Sequence, residues 1–298
     1  MANANGWGDG ASNNDIGWGQ GADNAIGWGS VYSVSAAGAT DIIGTPAVDP
    51  DAQAFITAAA ITDPTQQAAI NTLVVDLKGY NVWSKMKALY PFVGGTAAQH
   101  KWNLKNPLDT DAAYRLVFNG GWTHSSNGAL PNGTNAYANT FLAPSSQLSL
   151  NSASISYYSR TSGFSTALMG SSSASNNVIL LAPRWASGVL DDYSAINCAT
   201  FQKSAASNTL GLFTASRIAS TNYKGFQNGV QYFNSVNNSN SLSTQNIFIG
   251  ARNTSGFADQ YTNLQSAFAS IGDGLSDTEA ANFYTAVQNF QVALSRNI

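Results

Sequence analysis

Gly225-Phe226-Gln227-Asn228-Gly229-Val230-Gln231-Tyr232 is the stretch on which the fold turns. An Asn-Gly pair stands between two runs rich in aromatic and β-branched residues. Both turn residues adopt positive φ at little cost, as a two-residue type I′ connection requires, so the stretch predicts a β-hairpin. Further Asn-Gly pairs at 119–120, 127–128 and 132–133 mark other turns. Around them lie short segments of strand character: Tyr114–Phe118, Ile155–Thr161, Val178–Ala182, Ile196–Lys203, Leu210–Ile218, Tyr223–Gln227, Val230–Phe233, Ile247–Arg252 and Ser266–Ile271. Many short strands separated by Ser, Asn and Gly clusters predict a β-sandwich or barrel.

Helical signals flank this region. Asp63 is placed to cap a helix with Pro64 at its first position, where the missing N–H costs nothing. Ile70, Leu73, Val74 and Leu77 then fall on one face, and Gly79 is expected to end the helix. A second helix is expected over 82–90, with Val82, Met86, Leu89 and Tyr90 on its apolar side and Pro91 stopping it, making an αα-hairpin. Residues 45–60 read as a linker and a short apolar turn. Beyond the last strand, Ser276 and Glu279 form a capping box opening a helix whose Phe283, Val287, Phe290 and Leu294 share a face.

The N-terminal segment carries an internal repeat. Gly6-Trp7-Gly8, Gly17-Trp18-Gly19 and Gly27-Trp28-Gly29 recur at spacings of eleven and ten residues. Flanking glycines let the backbone approach another chain closely. Large aromatics are foreign to plain linkers, so Trp7, Trp18 and Trp28 are expected to anchor the segment in an assembly. The organisation predicted is a repeat segment over 1–45, a linker and helical hairpin over 46–95, and a β domain over 96–298.

Composition bounds the function. Charged residues make up 10% of the 298 positions, against roughly 25% in ordinary soluble domains. The net charge is −3 with no basic block, which argues against nucleic acid. No apolar run reaches the roughly 18 residues of a membrane span. The start, Met1-Ala2-Asn3-Ala4-Asn5-Gly6, lacks the basic and apolar regions of a signal peptide. A protein kept in the cytoplasm or released without a leader, as by assembly into a virus particle and lysis, is expected. The single cysteine, Cys198, reads as a small buried hydrophobe.

The ordered set Ile155-Ser156-Tyr157-Tyr158-Ser159-Arg160-Thr161, Gln227-Asn228-Gly229-Val230, Ile247-Phe248-Ile249-Gly250-Ala251-Arg252 and Gly274-Leu275-Ser276-Asp277-Thr278-Glu279-Ala280 resembles the concanavalin A-like and laminin-G-like jelly rolls, over residues 96 to 298. The resemblance implies a mainly-β, jelly-roll sandwich with a C-terminal helix. The chain is also similar to virion proteins of tailed phages infecting Bacteroidota. Those carry N-terminal Gly-Trp-Gly repeats and a segment like Trp83-Ser84-Lys85-Met86-Lys87-Ala88-Leu89-Tyr90-Pro91-Phe92 before a lectin-like domain. That likeness implies a tail, head-fibre or decoration protein located in the virion. Its implied partners are other virion proteins, further copies of itself (a trimer is favoured) and a host-surface glycan.

Catalysis finds little support in the side-chain inventory. Glycoside hydrolysis normally uses two carboxylates, one with a raised pKa, and the only glutamate, Glu279, is committed to a cap. Asp109 and Asp111 read as turn residues. No cofactor is expected, with Ca²⁺ at Asp191 and Asp192, or at Asp109 and Asp111, as the alternative. Trp122, Trp185 and Tyr193 are the candidates for stacking on sugars. A non-enzymatic structural protein, a carbohydrate-binding adhesin and a polysaccharide depolymerase therefore remain the competing functions.

Overall fold

The computed structural model describes residues 47–164, 166–173, 177–185, 191–199 and 203–298. The Gly-Trp-Gly repeat, with Trp7, Trp18 and Trp28, lies outside them. Two helices come first, each opened by an Asp-Pro step. Helix α1 spans Pro50–Ala58, and the Asp49 side chain accepts the Asp51 N–H. Helix α2 spans Pro64–Gly79, and Asp63 accepts the Gln66 N–H at 2.8 Å. Lys78, in the last turn of α2, pairs with Asp49 and Asp51 at 2.7 and 2.6 Å and ties the helices together. Ile70, Leu73, Val74 and Leu77 are all buried, as their spacing predicts. Gly79 is not the left-handed terminator expected of it. The helix runs through Gly79, and Asn81 takes positive φ instead.

The helical pair thus exists, but its residues differ from the prediction. Residues read as linker form α1, and the helix expected over 82–90 is a short 3₁₀ turn, Trp83–Lys85, followed by a strand. Met86, Ala88, Leu89 and Tyr90 are all buried. A strand covered on both faces shows no alternation, and its apolar run also satisfies a helical template.

The strands, in chain order, are β1 (Met86–Tyr90), β2 (Val117–Asn119), β3 (Trp122–Ser125), β4 (Gly128–Pro131), β5 (Tyr137–Asn139), β6 (Ala153–Ser159), β7 (Met169–Ser172), β8 (Val178–Leu181) and β9 (Asp191–Asp192). They continue with β10 (Ala195–Cys198), β11 (Lys203–Ser204), β12 (Gly211–Arg217), β13 (Tyr223–Gln227), β14 (Val230–Ser235), β15 (Phe248–Ile249), β16 (Arg252–Thr254), β17 (Phe257–Asp259) and β18 (Ser266–Gly272). Helix α3, Asp277–Ala293, follows, with both halves of the predicted capping box formed between Ser276 and Glu279.

One sheet runs β14-β13-β12-β6-β18-β4-β3, with β1 also on β18. A second runs β10-β8-β7-β15-β5-β2, with β16 and β17 attached, and β9 and β11 form a small ladder. The deciding hairpin forms as predicted: Asn228 and Gly229 have φ of 51° and 75°, and Gln227 faces Val230. The Asn228 amide oxygen accepts the Leu212 N–H at 2.9 Å, which fixes the turn against β12.

Alternation along the first sheet divides two cores. Ile155, Tyr157, Phe213 and Ala215 face the second sheet and meet Ile179, Ile196 and Ile249. Tyr158, Leu212, Phe226 and Phe268 face the other way, onto Phe55, Leu73, Phe283, Val287 and Phe290 of the three helices. The result is a β-sandwich with a helical layer on one face, the mainly-β class expected from the sequence. Cys198 is buried in the inter-sheet core, as its apolar surroundings imply.

Two arginines lie inside this structure, each satisfied by carbonyls. Arg217 donates to the main-chain oxygens of Ile196, Ala219, Ser220, Asn222 and Asn237. Arg296 donates to those of Pro91, Phe92, Ser126 and Ala267 and to the Gln291 side chain. Among the described residues, no helix is long and apolar enough to cross a membrane.

Candidate functional site

Beyond β8 the chain runs antiparallel to the segment that opens with β9. Trp185 N–H donates to the Asp191 carbonyl at 2.7 Å, and Tyr193 N–H to the Ala182 carbonyl at 3.1 Å. This ladder brings two of the three predicted stacking residues together. The Trp185 and Tyr193 rings lie 5.2 Å apart, tilted at 52°, and both are half-buried. Beside them Arg184 lies over the Phe164 ring at 5.8 Å, and Phe164 is exposed.

Trp122 sits elsewhere. It is on β3, at the β2/β3 edge of the sandwich, whereas Trp185 follows β8 near the opposite edge of the second sheet. Its indole N–H donates to the Asn119 carbonyl at 3.1 Å, and its ring packs edge-on against Phe118. A Cβ on Gly250 would come within 2.9 Å of that ring, so the backbone closes over it. Trp122 is half-buried and packs against the inter-sheet core, as Trp185 and Tyr193 do, but it stands apart from that pair.

Asp191 and Asp192 are neighbours on a strand, and successive strand side chains point to opposite faces. Asp191 is half-buried, whereas Asp192 is fully buried beneath the ladder. One Asp192 oxygen accepts the Tyr232 hydroxyl at 2.5 Å and the other accepts the Ser194 N–H at 2.5 Å. Burial pushes this carboxyl up, against the opposing pull of Lys203 and Tyr232. Lys203 stands directly across from Asp192 in the β9–β11 register. Its amine donates to the Ser194 carbonyl and to the Tyr223 hydroxyl, the latter at 3.1 Å. It also lies 4.9 Å from the Phe233 ring centre. Burial pushes the Lys203 amine down, with Asp192 opposing. This polar cluster was not visible in the sequence, because Lys203, Tyr223 and Tyr232 come from three different strands. The described residues hold no group of three or more His, Cys, Asp or Glu side chains arranged for a metal.

The remaining carboxylates of interest are tied up. Asp109 is paired with Lys101 at 2.6 Å and Arg115 at 3.2 Å, and the Lys101 contact holds it below the usual carboxylate range. Asp111 is paired with the same Arg115 at 2.8 Å. At Glu279 burial works upward, but the Lys85 ion pair at 2.6 Å and the Ser276 amide prevail and lower it.

The two histidines, far apart in the chain, meet through their Nδ1 atoms at 2.9 Å. His100 is buried against the Phe92 ring edge, with centroids 5.6 Å apart, and its Nε2 has no partner. A separate cleft of about 220 Å³ is lined by Asp63, Gln66, Val93, Ser126 and Ser295, among others.

No protein-family model matches the chain, and no curated protein matches it in sequence. Among solved structures it is similar to domain 4 of AbnA, an extracellular arabinanase from Geobacillus stearothermophilus, in complex with arabinotriose. That likeness covers 67% of this chain and 98% of that one, at 12% identity and a TM-score of 0.45. The botulinum neurotoxin serotype G binding domain is similar over 67% of this chain and 50% of that one, at 14% identity and a TM-score of 0.40. The NanB sialidase from Streptococcus pneumoniae is similar over 55% of this chain and 27% of that one, at 15% identity and a TM-score of 0.33. The chain therefore spans about half of the toxin domain's length and about a quarter of the sialidase's.

Proposed function

We propose that the chain is a non-enzymatic, glycan-binding structural component of a phage virion, held by its N-terminal segment in a homo-oligomer, with a trimer favoured. The observation that carries the glycan reading is the half-buried Trp185–Tyr193 pair, held on a hydrogen-bonded ladder. Flat aromatic faces held in place stack on sugar rings, while neutral side chains meet hydroxyls. Against catalysis stands the state of the carboxylates. An acid for glycosidic cleavage must be protonated and reach the bond. Asp109 and Glu279 are lowered by cations, and Asp192, though raised, has no exposed surface. The alternation of Asp191 and Asp192 supports binding without Ca²⁺. The virion and oligomer parts rest on the tryptophan repeat and on the sequence resemblance.

Binding of host-surface polysaccharides to the full chain, with and without Ca²⁺, tests the glycan reading. Binding is expected in both conditions and is expected to be lost in Trp185→Ala while the thermal midpoint holds. Absence of binding to every glycan, or equal binding by the variant, overturns it. Immunogold labelling of intact particles and light scattering test the rest. A monomer that never labels particles refutes the virion role, and reducing-sugar release from host capsule refutes the non-enzymatic one.

A further inference from the structure

The ladder that carries Trp185 and Tyr193 has two unlike faces. Trp185 bridges Asp191 across it, and Asp191 in turn stands opposite Ser204. Directly opposed residues of an antiparallel pair share a face, as do residues two apart on one strand. Trp185, Asp191 and Ser204 therefore form one row with Tyr193 beside it, in keeping with the 5.2 Å between the two rings. Burial follows the same alternation. Trp185, Asp191 and Tyr193 are half-buried and Ser204 is exposed, whereas Asp192 and Ser194 are buried and Lys203 keeps 9% of its side-chain exposure. Neighbours in such a row have Cβ atoms about 5 Å apart, so the three span about 10 Å, enough for a sugar ring to lie along them.

The charges are sorted between the faces. Of the four outward positions, one is charged, and it is the Asp191 carboxylate. The neighbouring cations are turned elsewhere. Lys203 shares the inward face with Asp192, and Arg184 donates to the Ser207 carbonyl and lies over the Phe164 ring at 5.8 Å.

We propose that this face takes uncharged glycans and turns away those bearing carboxylates, with Asp191 as the residue that makes the choice. The inference rests on the glycan reading of Trp185 and Tyr193. A carboxylate accepts from several donors at once and has none to give. Its oxygens suit the adjacent hydroxyls of a neutral sugar stacked on the rings, in charge-assisted hydrogen bonds. An acidic sugar in the same place sets a second negative charge beside the first, and rings that exclude water strengthen the repulsion. Selectivity then comes from the penalty on the wrong ligand as much as from contacts to the right one.

Host-surface polysaccharide separated by anion exchange into neutral and acidic fractions supplies the probes, with binding measured on the immobilised full chain. The neutral fraction is expected to bind about tenfold tighter than the acidic one at low salt, and the gap to narrow as salt screens the repulsion. Asp191→Asn, nearly unchanged in shape, is expected to abolish the preference. Ser204→Lys, at the exposed end of the row, is expected to strengthen binding of the acidic fraction, and it decides the matter if Asp191→Asn does not fold. A preference that survives in folded Asp191→Asn, or is unmoved by Ser204→Lys, overturns the proposal. Equal binding of both fractions by the wild type, lost in Trp185→Ala, overturns it and leaves the glycan reading standing. Absence of binding to either fraction removes both.

Discussion

The His100–His124 contact makes acid sensitivity a quantitative prediction. His100 is buried, shares its Nδ1 contact with His124, and lies close enough to the Arg296 guanidinium to feel its charge. Burial first, then His124 and Arg296, push its pKa from 6.5 down to about 3. The unfolded chain therefore takes up a proton near pH 6.5, whereas the folded one resists until about pH 3. Between those values the unfolded state binds more protons, so stability is lost as the pH falls through that window and is fully present above it. At about 1.4 kcal/mol per pH unit the whole effect is about 5 kcal/mol, and about 3 kcal/mol of it is lost by pH 4. The rings titrate as a pair across the shared contact, so the loss belongs to the couple. Urea unfolding followed by tryptophan fluorescence at pH 7 and pH 4 measures it, with His100→Gln as the comparison. Asp49, Asp109 and Glu279, all held below their usual range, weaken the fold in acid equally in both proteins. The wild type is expected to lose about 3 kcal/mol more than the variant. Parallel pH dependences for the two proteins would refute the reasoning.

Further predictions concern the interior. Arg296→Met strips donors from four main-chain carbonyls and the Gln291 side chain, and is expected to cost about 3–5 kcal/mol in urea unfolding, as for removal of one partner from a buried charged network. Gly274→Ala would place a Cβ 1.9 Å from the Arg217 carbonyl oxygen. Since backbone must then move, a loss of about 3 kcal/mol in thermal unfolding is expected. Gly79→Ala meets nothing within 4 Å inside a helix and is expected to stabilise by about 0.5–1 kcal/mol in the same assay.

Features whose cause is local were legible in the sequence. The Asn228-Gly229 turn, the Asp63-Pro64 helix start and the Ser276/Glu279 capping box each depend on residues within a few positions of one another, and each formed. The same Asp-Pro signal stands at Asp49-Pro50, and Ala52, Phe55, Ile56 and Ala59 follow it at helical spacing, so the linker reading of 45–60 overlooks a signal the sequence carries. The ambiguity between helix and strand in Met86–Tyr90 does not arise from any one residue. It comes from burial on both faces, with Met86 and Leu89 in the core under the helices and Ala88 and Tyr90 in the core between the sheets. The site was legible only in part. Aromatic identity marked Trp185, Tyr193 and Trp122 alike, and only the strand order separates the first two from the third. Lys203 and Tyr232 carried no motif, since their partners are set by tertiary pairing.

The position of β18 has a consequence for biosynthesis. It lies between β6 on one side and β1 and β4 on the other, with Met86 facing Gly272 and Ile155 facing Ile271. During translation, β1, β4 and β6 all leave the ribosome well before the strand that joins them. Until it arrives, the nascent chain exposes open strand edges next to apolar side chains, the condition under which chains misassociate. Pairings of such long range also close slowly. Recovery of folded protein should therefore depend on synthesis rate and temperature, with slow, cool expression or chaperone supply protecting the intermediate that waits for β18.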